Sequence, residues 1–196
     1  MRALVVHCHP VAGSFSSALR DAAVRGLERA GHAVDVLDLA ADGFDPVMGN
    51  SEWDAYMSHD GADITVPAGL EHHVAVVQSA DILVFVYPTW WSGLPAQLKG
   101  WLERVMVPGV AFRLDDGRVR PALVQVRRIV TVSTYGSPWT YVKAINDNGR
   151  RTLQRALRLS TGWRTTRRHL GLYKMDVRTD LDRARFLRRV EKALSR

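Results

Sequence analysis

The six residues Ile82-Leu-Val-Phe-Val-Tyr87 form an unbroken apolar run that Pro88 ends, and Pro95 then opens an amphipathic pattern over 95–106. A buried strand thus feeds a turn and then a helix. The same unit recurs along the chain. Ala3–Val6 is a short apolar strand, and Ala18, Leu19, Ala22, Ala23, Gly26, Leu27 and Ala30 mark one face of a helix that Gly31 stops. His32–Leu39 alternates as a second strand, Leu70–Ser79 reads as a helix, and Arg128–Ser133 reads as a fourth strand. Gly136-Ser-Pro138 turns into another helix, and a further helical stretch with Leu153, Ala156 and Leu157 ends near Gly162. Arg164–Met175 holds a fifth strand, and Phe186, Leu187, Val190 and Leu194 line a final helix. Residues 40–67 read as a long irregular loop, and Asp115-Asp-Gly117 as a turn between short extended pieces. Strands alternating with helices predict an α/β chain. It should be a doubly wound, five-stranded parallel sheet with helices on both faces and right-handed crossovers.

With 196 residues and no repeat or linker, a single domain over 1–196 is expected, with a basic strand–helix segment from about 150. No apolar run approaches the roughly 20 residues of a membrane span. Arg2 precedes only a short apolar strand, so no signal peptide is expected and the cytoplasm is the expected location. The single cysteine, Cys8, excludes an internal disulfide framework. Net charge is +7 but uneven: residues 1–149 carry 12 basic against 16 acidic side chains, and 150–196 carry 15 against 4. Such a patch attracts phosphates, nucleic acid or anionic lipid. Only four of the 27 basic residues are lysines, which points to compositional bias and an ordinary solvated surface.

Chemistry collects at three strand ends. After the first strand, His9 leads into Val-Ala-Gly13-Ser14-Phe15-Ser16-Ser17 and a helix start. A helix N-terminus is an anion site, and Ser14, Ser16 and Ser17 can cap it or bind a phosphate. The loop lacks both G-x-G-x-x-G and the P-loop pattern. A zinc site from His7, Cys8 and His9 is not expected, because neighbouring strand residues point to opposite faces. After the third strand come Pro88, Thr89, Trp90, Trp91, Ser92 and Gly93. Large aromatics in the crevice beyond a central strand suit a flat aromatic ligand. Trp101, on the next helix, reads as core or interface. The fourth strand empties into Ser133, Thr134, Tyr135, Gly136, Ser137 and Pro138, followed by Tyr141, whose phenol can donate a hydrogen bond.

Three loops with these features in this order resemble the flavodoxin-like NAD(P)H:quinone oxidoreductases of the DT-diaphorase type. They are also similar to two groups of bacterial relatives: modulator-of-drug-activity quinone reductases and ancillary subunits of potassium-efflux systems. The likeness spans about residues 1–145 and is densest over Pro88–Val105. It implies a flavin held by His9, Ser14, Phe15 and Ser16 at its ribityl and phosphate groups. Pro88, Thr89, Trp90 and Trp91 would line its ring, with Ser133, Thr134, Tyr135 and Gly136 at the opposite edge. Tyr141, Trp90 and Gly136 would serve the chemistry, and FAD is favoured over FMN. Tyr135, where family members often have glycine, would narrow the pocket or stack on the ring. Mammalian members pair the tyrosine with a histidine a few residues on; here Ile145-Asn146-Asp147-Asn148 stands there, with Asn146 or Asp147 as possible substitutes. The likeness also implies a homodimer with the site at its interface, to which 40–67 and 110–120 would contribute.

The expected reaction is ping-pong: NAD(P)H gives hydride to the flavin and leaves, and a quinone or similar flat electrophile accepts it in the same pocket. No metal or protein nucleophile is required. The alternative is a regulatory flavoprotein docked on a membrane transporter. A nucleic-acid-binding module using the basic segment is a third, lesser reading.

Overall fold

A computed structural model of the chain describes residues 1–57, 66, 68–115 and 118–196. Five strands make one parallel sheet: β1 (Arg2–His7), β2 (Ala33–Asp38), β3 (Ile82–Pro88), β6 (Arg128–Thr134) and β7 (Thr166–Leu172). Their order is β2-β1-β3-β6-β7. All four pairings are parallel, as the apolar runs predict. The chain steps outward from β1 to β2 and then crosses back to β3, so the order reverses beside β1.

Helices cover both faces. On one face α1 (Phe15–Arg29) and α8 (Asp180–Leu194) cover Ala3, Val5, Val84, Val130 and Leu170. On the other, α3 (Glu71–Ser79), α4 (Ala96–Val105) and the helical stretch 148–161 cover Leu4, Val6, Leu83, Phe85 and Ile129. Alternate residues of one strand serve opposite cores, which is why β3 had to be apolar throughout. Trp101 is fully buried, and its indole N–H donates to His73 Nδ1 at 3.2 Å. Of the two readings its place on the helix left, core and interface, it is core.

Two stretches differ locally from the sequence reading, 40–67 and the helical stretch before Gly162, while the short extended pieces around 112–121 form as expected. The 40–67 stretch is not all loop, because α2 (Asn50–Met57) forms within it. This helix buries none of its residues, so it has no apolar stripe to read; it is tied on through Glu52, which pairs with Arg104 of α4. Residues 58–65 and 67 of that stretch lie outside the described residues. The strands β4 (Phe112–Asp115) and β5 (Arg118–Pro121) pair antiparallel. The turn expected between them falls on residues 116 and 117, also outside the described residues. The helical stretch before Gly162 is three pieces: α6 (Asn148–Arg151), a π-helical turn (Thr152–Ala156) and α7 (Leu157–Thr161). Among the described residues, no helix is long and apolar enough to cross a membrane.

Several arginines of the basic segment donate to main-chain carbonyls. Arg168, with Arg128, donates to Ala193 O at the end of α8, where cations complement the helix dipole. Arg158, Arg167 and Arg178 donate to the carbonyls of Trp163, Gln154 and Tyr173.

Candidate functional site

Because strand order reverses beside β1, the loops after β1 and β3 leave toward opposite faces and open a crevice between them. Cross-strand bonds hold these loops in register beyond the strands. Cys8 N–H donates to Val86 O (3.1 Å), Thr89 N–H to Thr134 O (2.9 Å) and Tyr135 N–H to Leu172 O (2.9 Å).

In the first loop Ser14 is the N-cap of α1, and its Oγ accepts the Ser17 N–H at 3.1 Å. Ser17 in turn donates to Val11 O, so both of these serines are engaged in shaping the helix start. Ser16 differs: it is buried in the first turn, and its hydroxyl has no hydrogen-bond partner among the described residues. No acidic side chain occupies that turn, so the positive end of the dipole is uncompensated there. Phe15 packs on the core beneath α1. His9 accepts the Val11 N–H through Nδ1 (3.1 Å), and its ring lies 5.9 Å from that of Trp90. The first two loops therefore meet.

The turn after β3 is strained. Gly93 N–H donates to Trp90 O at 3.0 Å, and the residues between, Trp91 and Ser92, have φ of 46° and 60°. Left-handed backbone at non-glycine residues costs about 1–2 kcal/mol each. Burial does not offset this cost, because Trp91 is wholly exposed and Trp90 about half exposed. Neither is a core tryptophan.

A second left-handed pair faces it: Asn146 (φ 74°) and Asp147 (φ 46°), after α5 (Trp139–Ala144). The two turns touch at Gly149, where an added Cβ would lie 3.1 Å from the carbonyl carbon of Gly93. Any larger residue there would press on the Gly93 backbone. Between them lies a cavity of about 240 Å³, bordered by Thr89, Trp91, Tyr135, Gly136, Tyr141 and Asp147 among others. Tyr141 is half exposed on its rim.

Below the cavity, the α4 face of the sheet turns polar. Tyr87 and Ser133, partners in register, bury hydroxyls that make no well-aligned hydrogen bond. The Tyr135 ring is also buried; it stacks on Tyr173 at 4.6 Å and 13°, so its stacking partner comes from the protein. The Tyr135 hydroxyl donates to Asp147 Oδ1 at 3.0 Å and lies 3.2 Å from His169 Nε2. Arg150 Nε donates to Asp147 Oδ2. Burial pushes the Tyr87 and Tyr135 phenols up and holds His169 down to about 4. His169 is thus neutral at pH 7.

Of the residues expected to act, Thr89, Trp91, Tyr135, Gly136 and Tyr141 border one cavity, while His9 and Trp90 meet beside it. Ser14 and Phe15 shape the loop, and Ser133 and Pro88 are buried at the strand ends. Sequence reasoning missed His169, Tyr173 and Arg150. Strand periodicity gives no signal for His169, because the apolar residues of β7, Leu170 and Leu172, are in the other phase, and His169 shares its face with Arg167 and Gly171. Among the described residues no cluster of His, Cys, Asp or Glu could hold a metal ion. Cys8 is buried, and burial raises its thiol to about 11, so it is not a nucleophile at neutral pH.

A family model described as a flavodoxin-like fold matches residues 1–163. NAD(P)H dehydrogenase (quinone) 1 of Cavia porcellus is 31% identical over 153 residues, covering 71% of this chain and 55% of that protein. The chain thus spans little more than half of that relative. Ribosyldihydronicotinamide dehydrogenase (quinone) of Pongo abelii is 30% identical over 158 residues, covering 72% of this chain and 67% of that protein. Among solved structures, an NAD(P)H:quinone oxidoreductase from Methanothermobacter marburgensis superposes with a TM-score of 0.82 at 26% identity, covering 100% of this chain and 96% of that one. The chain belongs to the flavodoxin-like NAD(P)H:quinone oxidoreductase family.

Proposed function

We propose that the chain is a flavin-dependent NAD(P)H oxidoreductase that passes hydride to a quinone or a similarly flat electrophile by a ping-pong route. The observation that carries this reading is Trp91, a fully exposed aromatic on strained backbone at the crevice beside β1. Strain kept where folding gains nothing from it marks a functional residue.

The chain's groups fit a flavin. The unpartnered Ser16 hydroxyl and the open first turn of α1 suit its phosphate, with His9 nearby. Pro88, Thr89, Trp90 and Trp91 would line one side of the ring, with Ser133, Thr134, Tyr135 and Gly136 at the facing edge. Tyr141 would donate its phenolic hydrogen where negative charge develops on reduction. When bound, the flavin supplies the hydride chemistry, while the protein orients both substrates and excludes water. FAD is the form proposed, with FMN the alternative. A homodimer belongs to the same reading: Trp91 and the stacked pair Trp53–Tyr56 leave aromatic surface uncovered on a single chain.

The test is the visible spectrum of the purified protein, followed by anaerobic addition of NAD(P)H and then a quinone. Flavin bands should bleach and return, chromatography of the released cofactor should separate FAD from FMN, and light scattering should give the mass of two chains. Protein that stays colourless after incubation with excess FAD and FMN would overturn the reading.

A further inference from the structure

We propose that Asp147 is the specificity-determining residue of the acceptor pocket, an oriented carboxylate that selects flat acceptors bearing a hydrogen-bond donor and disfavours anionic ones. The inference rests on the oxidoreductase reading above and names the substrate class for the same pocket.

The orientation follows from counting hydrogens. Asp147 is paired with Arg150 and can only accept, so Tyr135 must donate to it. With its one hydrogen committed, Tyr135 oxygen must accept from His169, which fixes the Nε2–H tautomer. His169 Nδ1 is then bare and accepts from the Thr131 hydroxyl at 2.9 Å. Thr131 oxygen accepts from Gln154 Nε2 at 3.0 Å, and the second hydrogen of that amide goes to Arg168 O at 2.7 Å. From Gln154 through Thr131, His169 and Tyr135, one hydrogen at each step therefore points toward Asp147. The carboxylate cannot rotate without breaking this order.

The charge faces one way. Asp147 lies in the wall between two cavities. On the far side, a cavity of about 350 Å³ is bordered by Lys143, Arg150 and Arg151. On the near side Asp147 is, among the described residues, the one charged side chain bordering the pocket with Trp91 and Tyr141. Two of its roughly four lone-pair sites are taken, so it can still accept from a bound molecule. An amino or hydroxyl group on an acceptor ring would gain a charge-assisted hydrogen bond there. A sulfonate or carboxylate would meet like charge in a partly desolvated site.

The test compares 2-amino-1,4-naphthoquinone with 1,4-naphthoquinone-2-sulfonate, by equilibrium dialysis against oxidised, flavin-loaded protein without NAD(P)H. The wild type should bind the amino compound at least about tenfold more tightly, the size of one charge-assisted bond. Asp147→Asn keeps the shape, tolerates the left-handed backbone and removes the charge; it should narrow the ratio about tenfold. Tyr135→Phe leaves the charge but frees the carboxylate, and should narrow it less. Nitrogen NMR of wild-type His169 gives a readout that needs no variant to fold: the Nε2–H form is expected. An unchanged ratio in Asp147→Asn, or an Nδ1–H imidazole, would overturn the assignment. Protein that takes up no flavin would sink the oxidoreductase reading and this one with it. Flavin-loaded protein that shows no preference would sink this one alone.

Discussion

Trp91 sets the conflict at the residue scale. A turn with two left-handed residues ordinarily takes Asn-Gly; this one takes Trp91-Ser92. Trp91→Gly should therefore raise thermal stability by about 1 kcal/mol, because glycine adopts this backbone without strain and no buried contact is lost. The same variant should hold flavin or quinone more weakly. Denaturation and cofactor release on one preparation check both, and loss of stability in Trp91→Gly would show that the side chain packs after all. The tryptophan pair and the hydroxyl-rich loops were legible in the sequence, because each lies within a few residues of a strand end. The Tyr135–Asp147–His169 cluster was not. His169 lies 34 residues beyond Tyr135, and only the β6–β7 pairing sets Thr131 opposite it.

At the element scale, what could be read depended on burial. Helices α1 and α8 carry apolar stripes and were visible; α2 has none and was not. Its tie from Glu52 to Arg104 spans 52 residues, and no local pattern encodes it. The α1–α8 crossing has its own constraint. A Cβ at Gly26 would lie 2.5 Å from Glu191 O, a backbone atom that cannot step aside cheaply. Gly26→Ala should cost roughly 1–3 kcal/mol although alanine is the better helix former, because overpacking outweighs propensity here. Chemical denaturation reads this directly, and a more stable Gly26→Ala would mean that the helices can part without penalty.

At the scale of the whole molecule, buried histidines set the response to acid. His169 is held neutral down to about 4, against an ordinary value of 6.5. Between those limits the unfolded chain binds a proton that the folded chain refuses, so stability is full above pH 6.5 and falls as pH drops toward 4. From pH 7.5 to 5 the loss should be about 2 kcal/mol from this group. His7 and His73, also lowered by burial, act with the same sign. Urea midpoints at the two pH values test this, and His169→Gln should flatten the slope; an equal slope in that variant would show that His169 is protonated in the folded state.

The sequence by itself determined the layer architecture. Unbroken apolar runs can be satisfied only by strands covered on both faces, and the alternation with helices leaves a parallel sheet as the arrangement. It also pointed to three loops as the candidate site, since these follow strands that the pattern marks out. Tertiary structure decided the rest. It set two strained turns against each other at Gly93 and Gly149, buried a polar network under the pocket, and tied several arginines of the basic segment to main-chain carbonyls. Those outcomes depend on directional contacts between residues far apart in the chain. Periodicity records which face a residue takes, but not which partner awaits it there.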